Sequence, residues 1–382
     1  MEKIFERTKG DRYIWLIVIF LSIISMLAVY SSTGSLAFKY QGGNMQYYMF
    51  KQCGMILFGL LLMFLAHTVN YKYYSRIAQL LLYISVPLLL LTLLFGVDIN
   101  DARRWLTIPV VNVSFQTSDL AKLALIMYLA RALAKNQGTI KDFKTGFLPV
   151  MIPPMIICGL IAPSNLSTAA ILFATCLLLM FIGRVNMKYI MVMLLAGIVL
   201  LGIIVLIATF TSFHTRIDTW ISRLQDFFGK NDEAYQVQQS KIAIAKGKIF
   251  GVGPGNSTQR NFLPSPYSDF IYAIIVEEYG FIGAAALIFF YLFFLLRCIK
   301  IFVKSPGAFG ALLAVGLSFS MVVQALINMA VVVNLLPTTG VTLPLVSMGG
   351  TSLWFTSIAI GIILSVSRNV EQENEEDNAE AA

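Results

Sequence analysis

Ten separate apolar runs, each near the length needed to cross a bilayer, decide what this chain can fold into. They occupy approximately 13–31, 52–69, 75–96, 117–134, 147–163, 167–183, 188–211, 269–303, 308–335 and 347–367. A hydrocarbon core about 30 Å thick takes about 20 residues of helix, and backbone inside it must satisfy its own hydrogen bonds. The fold class that follows is an all-α polytopic membrane protein with about ten transmembrane helices. One large extracytoplasmic loop, 212–268, separates helices 7 and 8. Composition agrees: charged residues make up 13% of the chain, about half the share of a soluble domain.

The fourth and fifth runs are the weakest, because they contain Asp119, Lys122 and the Pro153-Pro154 pair. The first run follows Lys3, Arg7, Lys9 and Arg12 and reads as an uncleaved signal anchor, being longer than an ordinary signal h-region. With the N-terminus inside, 16 cations fall in cytoplasmic segments and 4 in short outer loops. That asymmetry predicts both termini on the cytoplasmic side. The loop 212–268 adds seven cations and four acids, a sign that suits an anionic partner or anionic lipid headgroups. After Arg368 the chain is acidic without apolar periodicity, so 369–382 is expected to be a disordered tail beside a membrane domain of 1–368.

Several chemistries find no support. The four cysteines fall in apolar runs without metal-ligand spacing, His67 and His214 lie far apart, and no Walker sequence occurs. Gly251-Val252-Gly253-Pro254-Gly255 lacks the dinucleotide spacing and reads as a tight turn.

Polar residues gather elsewhere. Gln116, Asp119 and Lys122 recur at i, i+3 and i+6, on one helix face. With Arg103 and Arg104 of the preceding loop they form a set able to surround a diphosphate, since Arg presents a planar fork and Lys a mobile charge. The alternative is a snorkelling Lys122 paired with Asp119. Asp269 stands where a polar, basic loop re-enters apolar sequence, as a site carboxylate or as an N-cap with Ser268. Glu277 and Glu278, two turns later, require partners, as do Asn165, Gln324 and Asn328.

In order along the chain, Tyr30-Ser31-Ser32, Arg103-Arg104-Trp105, Phe115-Gln116…Lys122, Tyr235-Gln236…Gln239-Ser240, Gly251…Gly255…Ser257, Asp269-Phe270-Ile271, Glu277-Glu278…Gly280 and Leu336-Pro337…Gly349-Gly350 resemble the SEDS family of cell-wall proteins. This is the FtsW, RodA and SpoVE group, and the cues lie nearer FtsW. The resemblance covers nearly everything but the acidic tail. It implies peptidoglycan glycosyltransfer: polymerisation of lipid II at the outer face of the bacterial cytoplasmic membrane, at the division septum. The implied partners are a class B penicillin-binding protein and other divisome membrane proteins, with no nucleic acid.

By resemblance Asp269 is the catalytic carboxylate, while Arg103, Arg104, Gln116, Asp119, Lys122, Gln239 and Ser240 hold substrate, with Glu277 and Glu278 as secondary candidates. The chain departs from the family pattern at Asp119 (usually Glu), Thr117 (usually Pro), Asn165 (usually Asp) and Ser265 (often Glu). No metal site and no certain cofactor are read; a divalent cation is left open, with no ligand beyond Asp269. The reaction needs a base for the attacking hydroxyl and positive charge on the leaving diphosphate. The rivals are a lipid II flippase and a non-catalytic divisome scaffold. Polar residues concentrated in outer loops favour an outer-face enzyme, since a flippase needs them through the full depth.

Overall fold

Apolar runs of this length have one low-energy form in lipid, and all ten are helical. The computed structural model describes residues 10–99, 102–108, 113–210, 216–228 and 235–380. The helices matching the ten runs are α1 (Arg12–Ser32), α3 (Met45–Thr68), α4 (Tyr71–Phe95), α5 (Thr117–Lys135), α6 (Leu148–Ile161), α7 (Leu166–Ile182), α8 (Met187–Phe210), α11 (Ile271–Lys304), α12 (Ala308–Val332) and α13 (Thr351–Glu380). Short α2 (Gly34–Gln41) lies between α1 and α3, and α9 (Arg216–Phe227) and α10 (Tyr235–Gly247) lie in the large loop. Among the described residues, seven helices are long and apolar enough to cross a membrane. Helix α7 is short at 17 residues, and α5 carries Asp119, Lys122, Arg131 and Lys135. The protein is a helical polytopic membrane protein.

Helix α5 can carry its charges because it is central rather than lipid-facing. From Leu123 through Met127 to Leu133 nearly every side chain is buried. Its neighbour α12 is likewise buried along most of its length.

Pairing handles the charges elsewhere. Asp11 caps α1, accepting from the Tyr13 and Ile14 amides, and forms an ion pair of 2.6 Å with Arg297 of α11. The Asp11 amide donates to Ser367 Oγ at 3.0 Å and the Gly10 amide to Glu371 at 2.7 Å, both on α13. The start of α1 and the end of α13 therefore meet at one end of the bundle. The α13 backbone stays helical through the acidic stretch to Glu380.

The all-α expectation needs one correction. Between α4 and α5 the chain forms a small antiparallel sheet of β1 (Val97–Ile99), β2 (Ala102–Ile108) and β3 (Val113–Gln116), in the order β1-β2-β3. Trp105 pairs with Gln116 and Leu106 with Phe115. These strands are too short to register as apolar runs, and their β-branched and aromatic residues suit a pleated surface. The sheet delivers Arg104 and Trp105 beside the first turn of α5.

The eighth run is also more than a simple span. Helix α11 is broken at Gly280, with φ 66° and ψ −161°, a conformation essentially confined to glycine. The loop after α10 fills the break. The Val252 and Gly253 amides donate to the carbonyls of Glu277 and Glu278, and the Phe281 amide donates to Lys248 O at 2.9 Å. A Cβ on Gly280 would collide with the Ile249 carbonyl, and one on Gly251 with the Glu278 carbonyl. The glycine run is thus a backbone seam that fastens the large loop to α11. Gly280→Ala is expected to destabilise the protein by roughly 1–3 kcal/mol from backbone strain alone. Thermal unfolding in detergent measures this, and an unchanged midpoint contradicts the seam.

Candidate functional site

Asp269 sits in the turn just before α11. Its Oδ1 accepts from Ser268 Oγ at 2.8 Å. The N-cap of α11 is Phe270, with no side-chain capping bond, so Asp269 does not serve as the cap. Its position is fixed through the backbone. Asn328 of α12 donates to Asp269 O at 2.8 Å and Val341 O at 2.7 Å, Ser347 Oγ donates to Ser268 O at 2.7 Å, and the Met348 amide donates to Tyr267 O at 2.9 Å. The segment after α12 therefore clamps the turn from 267 to 269, leaving the carboxylate at the wall of a cavity of about 670 Å³. That volume is within the range of small-molecule sites.

The cavity brings together Arg104, Gln116, Asp119, Lys122 and Asp269. The i, i+3, i+6 face of α5 thus points into it as its spacing predicts. Lys122 Nζ lies 3.0 Å from Asp119 Oδ1 and donates to Gln324 Oε1 at 3.0 Å. The paired-lysine reading is right about the contact, but the pair lines the cavity. Asp119 Oδ2 is buried with no hydrogen-bond partner among the described residues, an acceptor held ready at the wall. Arg104 Nε donates to Ser164 O at 3.0 Å. Asn165 also lines the cavity, while its side chain accepts from the Thr168 amide and caps α7. The Arg103 side chain lies outside the described residues.

Other candidates stand elsewhere. Ser240 is buried and donates to Val332 O at 2.7 Å, pinning α10 to the end of α12. Neither it nor Gln239 is part of the cavity lining. Glu277 accepts from Ser257 Oγ, the Thr258 amide at 3.2 Å and the Gln259 amide at 3.2 Å. Glu278 accepts from Ser31 Oγ and the Ser257 amide. Both carboxylates organise the loop that fills the α11 break, and neither lines the cavity.

Sequence alone does not single out Arg223 of α9, which does line it, along with Trp105, Gln236 and Tyr267. Arg223 is one loop cation among seven, and only the position of α9 separates it from the others.

Burial drives the Asp269 carboxyl above the usual carboxylate range, opposed by the Ser268 hydroxyl and by the charges of Arg104 and Arg223. A carboxylate with raised proton affinity beside guanidinium groups can take a proton from a hydroxyl while neighbouring cations receive developing negative charge. Among the described residues, no three His, Cys, Asp or Glu side chains gather as metal ligands.

Comparison with known proteins agrees with this frame. The family described as "Cell cycle protein", covering FtsW, RodA and SpoVE, matches residues 11–372. Stage V sporulation protein E of Bacillus subtilis is 32% identical over 95% of this chain and 98% of its own. A probable peptidoglycan glycosyltransferase FtsW of Geobacter sp. is 34% identical over 95% and 98%. Two solved structures share the fold. One, from work on a peptidoglycan synthase complex coordinating polymerization and crosslinking, has a TM-score of 0.76 at 24% identity over 95% of this chain and 99% of the other. The rod shape determining protein RodA of Thermus thermophilus has a TM-score of 0.68 at 22% identity, over 94% and 97%. The chain belongs to the FtsW, RodA and SpoVE family.

Proposed function

We propose that this protein is a peptidoglycan glycosyltransferase that polymerises lipid II during cell division, with Asp269 as general base. The observation that carries this reading is the cavity itself, which gathers a half-buried carboxylate and the cations Arg104 and Lys122. The acceptor's 4-hydroxyl attacks the donor's anomeric carbon as the bond from that carbon to the diphosphate oxygen breaks. The hydroxyl proton passes to Asp269, and the electron pair leaves with the diphosphate, whose charge Arg104 and Lys122 receive. One displacement inverts the centre, giving a β-linkage from an α-linked donor.

The protein in this reading is a multi-pass protein of the cytoplasmic membrane with ten spans and both termini inside. Residues 1–368 form the membrane domain, and the acidic tail follows on the cytoplasmic side. It works at the septum beside a class B penicillin-binding protein and other divisome membrane proteins, and the cavity opens to the outer face. Arg103, Gln116 and Asp119 complete the substrate contacts. One-sidedness supports an enzyme over a flippase: for the two turns below Lys122, from Leu123 to Ala130, α5 carries no charge and is buried apart from Tyr128.

Polymerisation of labelled lipid II by the purified complex, with the partner's transpeptidase serine disabled, tests the reading. Glycan ladders are expected, without lipid scrambling by the protein in proteoliposomes. Scrambling without ladders favours the flippase.

The rate should also depend on pH in a defined sense. A base works deprotonated, so kcat/KM falls as pH drops through the Asp269 pKa. Because burial raises that pKa, the acid limb is expected above the ordinary value of about 3.9. A limb at or below that value contradicts the buried base.

A further inference from the structure

Arg223 is the cavity cation that the catalytic scheme leaves unused. It reaches the lining from α9 in the large loop, whereas Arg104 comes from β2 and Lys122 from α5. Its Nη1 donates to Thr338 O at 3.2 Å, and that contact occupies one of the five N–H donors of a guanidinium. Arg104 is turned toward the start of α7 through Ser164 O, and Arg223 toward the segment after α12. Both are close enough to Asp269 to act on its charge. Two arginines thus approach one carboxylate from separate elements.

Holding Arg223 there has a cost, because its site is partly desolvated and burial disfavours the cation. Asp269 offsets some of that cost in the resting protein. It stops doing so once it takes the acceptor proton and becomes neutral. At the same moment, charge builds on the leaving diphosphate oxygen. A diphosphate offers the paired oxygens that a planar guanidinium fork binds in bidentate fashion.

We infer that Arg223 is a further catalytic residue, pairing with Arg104 so that two guanidinium groups hold the leaving diphosphate beside Asp269. This rests on the glycosyltransfer reading. As the bond from the anomeric carbon to the diphosphate oxygen breaks, its electron pair stays on that oxygen, and Arg223 shifts from Asp269 to the new charge. The large loop thereby contributes to the chemistry, and α9 must be in place for turnover.

The test compares wild type, Arg223→Gln and Arg223→Lys in the full complex with its penicillin-binding partner, transpeptidase serine disabled. Loss of the fork is expected to lower kcat by about 100- to 1,000-fold in Arg223→Gln, with a smaller change in KM. Arg223→Lys should recover part of the rate. The acid limb should move to higher pH in Arg223→Gln, because a cation facing Asp269 has gone while Arg104, Ser268 and Tyr267 remain. Binding of farnesyl diphosphate, a short lipid diphosphate, should weaken in Arg223→Gln.

A wild-type kcat in Arg223→Gln overturns the inference. So does equal loss in both variants with a lower melting temperature and an unmoved acid limb, which marks a pin for Thr338. If wild type makes no ladders, the glycosyltransfer reading fails on its own. Farnesyl diphosphate binding then still decides: weaker binding in Arg223→Gln supports the diphosphate contact, and equal binding removes it.

Discussion

An ionised carboxylate inside an apolar bundle must be partnered, and much of this structure follows from that requirement. Asp11 answers it with Arg297 and the first amides of α1. Asp119 answers it with Lys122. Glu277 and Glu278 answer it with hydroxyls and amides of the 257–259 turn and with Ser31. Each of these pairings except the local one on α5 also joins distant parts of the chain. Asp269 is handled differently: its backbone is clamped by Asn328 and its side chain faces the cavity with one hydroxyl partner, Ser268.

That contrast separates structure from chemistry among the acidic residues. A carboxylate saturated by amide and hydroxyl donors has its lone pairs committed, so it is poorly placed to collect a substrate proton. Glu277 is in that condition. Asp269, desolvated and lightly bonded, keeps capacity for a proton. The α11 break serves the same division: it lets the loop after α10 dock through backbone bonds, while Arg223 of α9 meets the cavity wall through Thr338 O.

Much of the frame was legible because hydropathy reports it directly. Each of the ten apolar runs is a helix, and the α5 face was readable from helical spacing, since Gln116, Asp119 and Lys122 share the cavity. The small sheet was not legible, as three short strands leave no apolar signature between two spans. The roles of Ser240, Glu277 and Glu278 were hidden for another reason. Motif position marks a residue as constrained, but not whether substrate or backbone imposes the constraint. Ser240 is constrained by Val332 O. Arg223 was hidden in the opposite way, because a loop cation acquires meaning only when the loop is folded against Asp269.

The most direct test of the central claim is lipid II polymerisation by Asp269→Asn in the complex, with folding checked by thermal unfolding. The amide keeps the shape and the Ser268 contact but cannot take the acceptor proton. The account predicts a folded protein whose glycan ladders disappear. Ladders at the wild-type rate would contradict it and return the turn at 267–269 to a purely structural role.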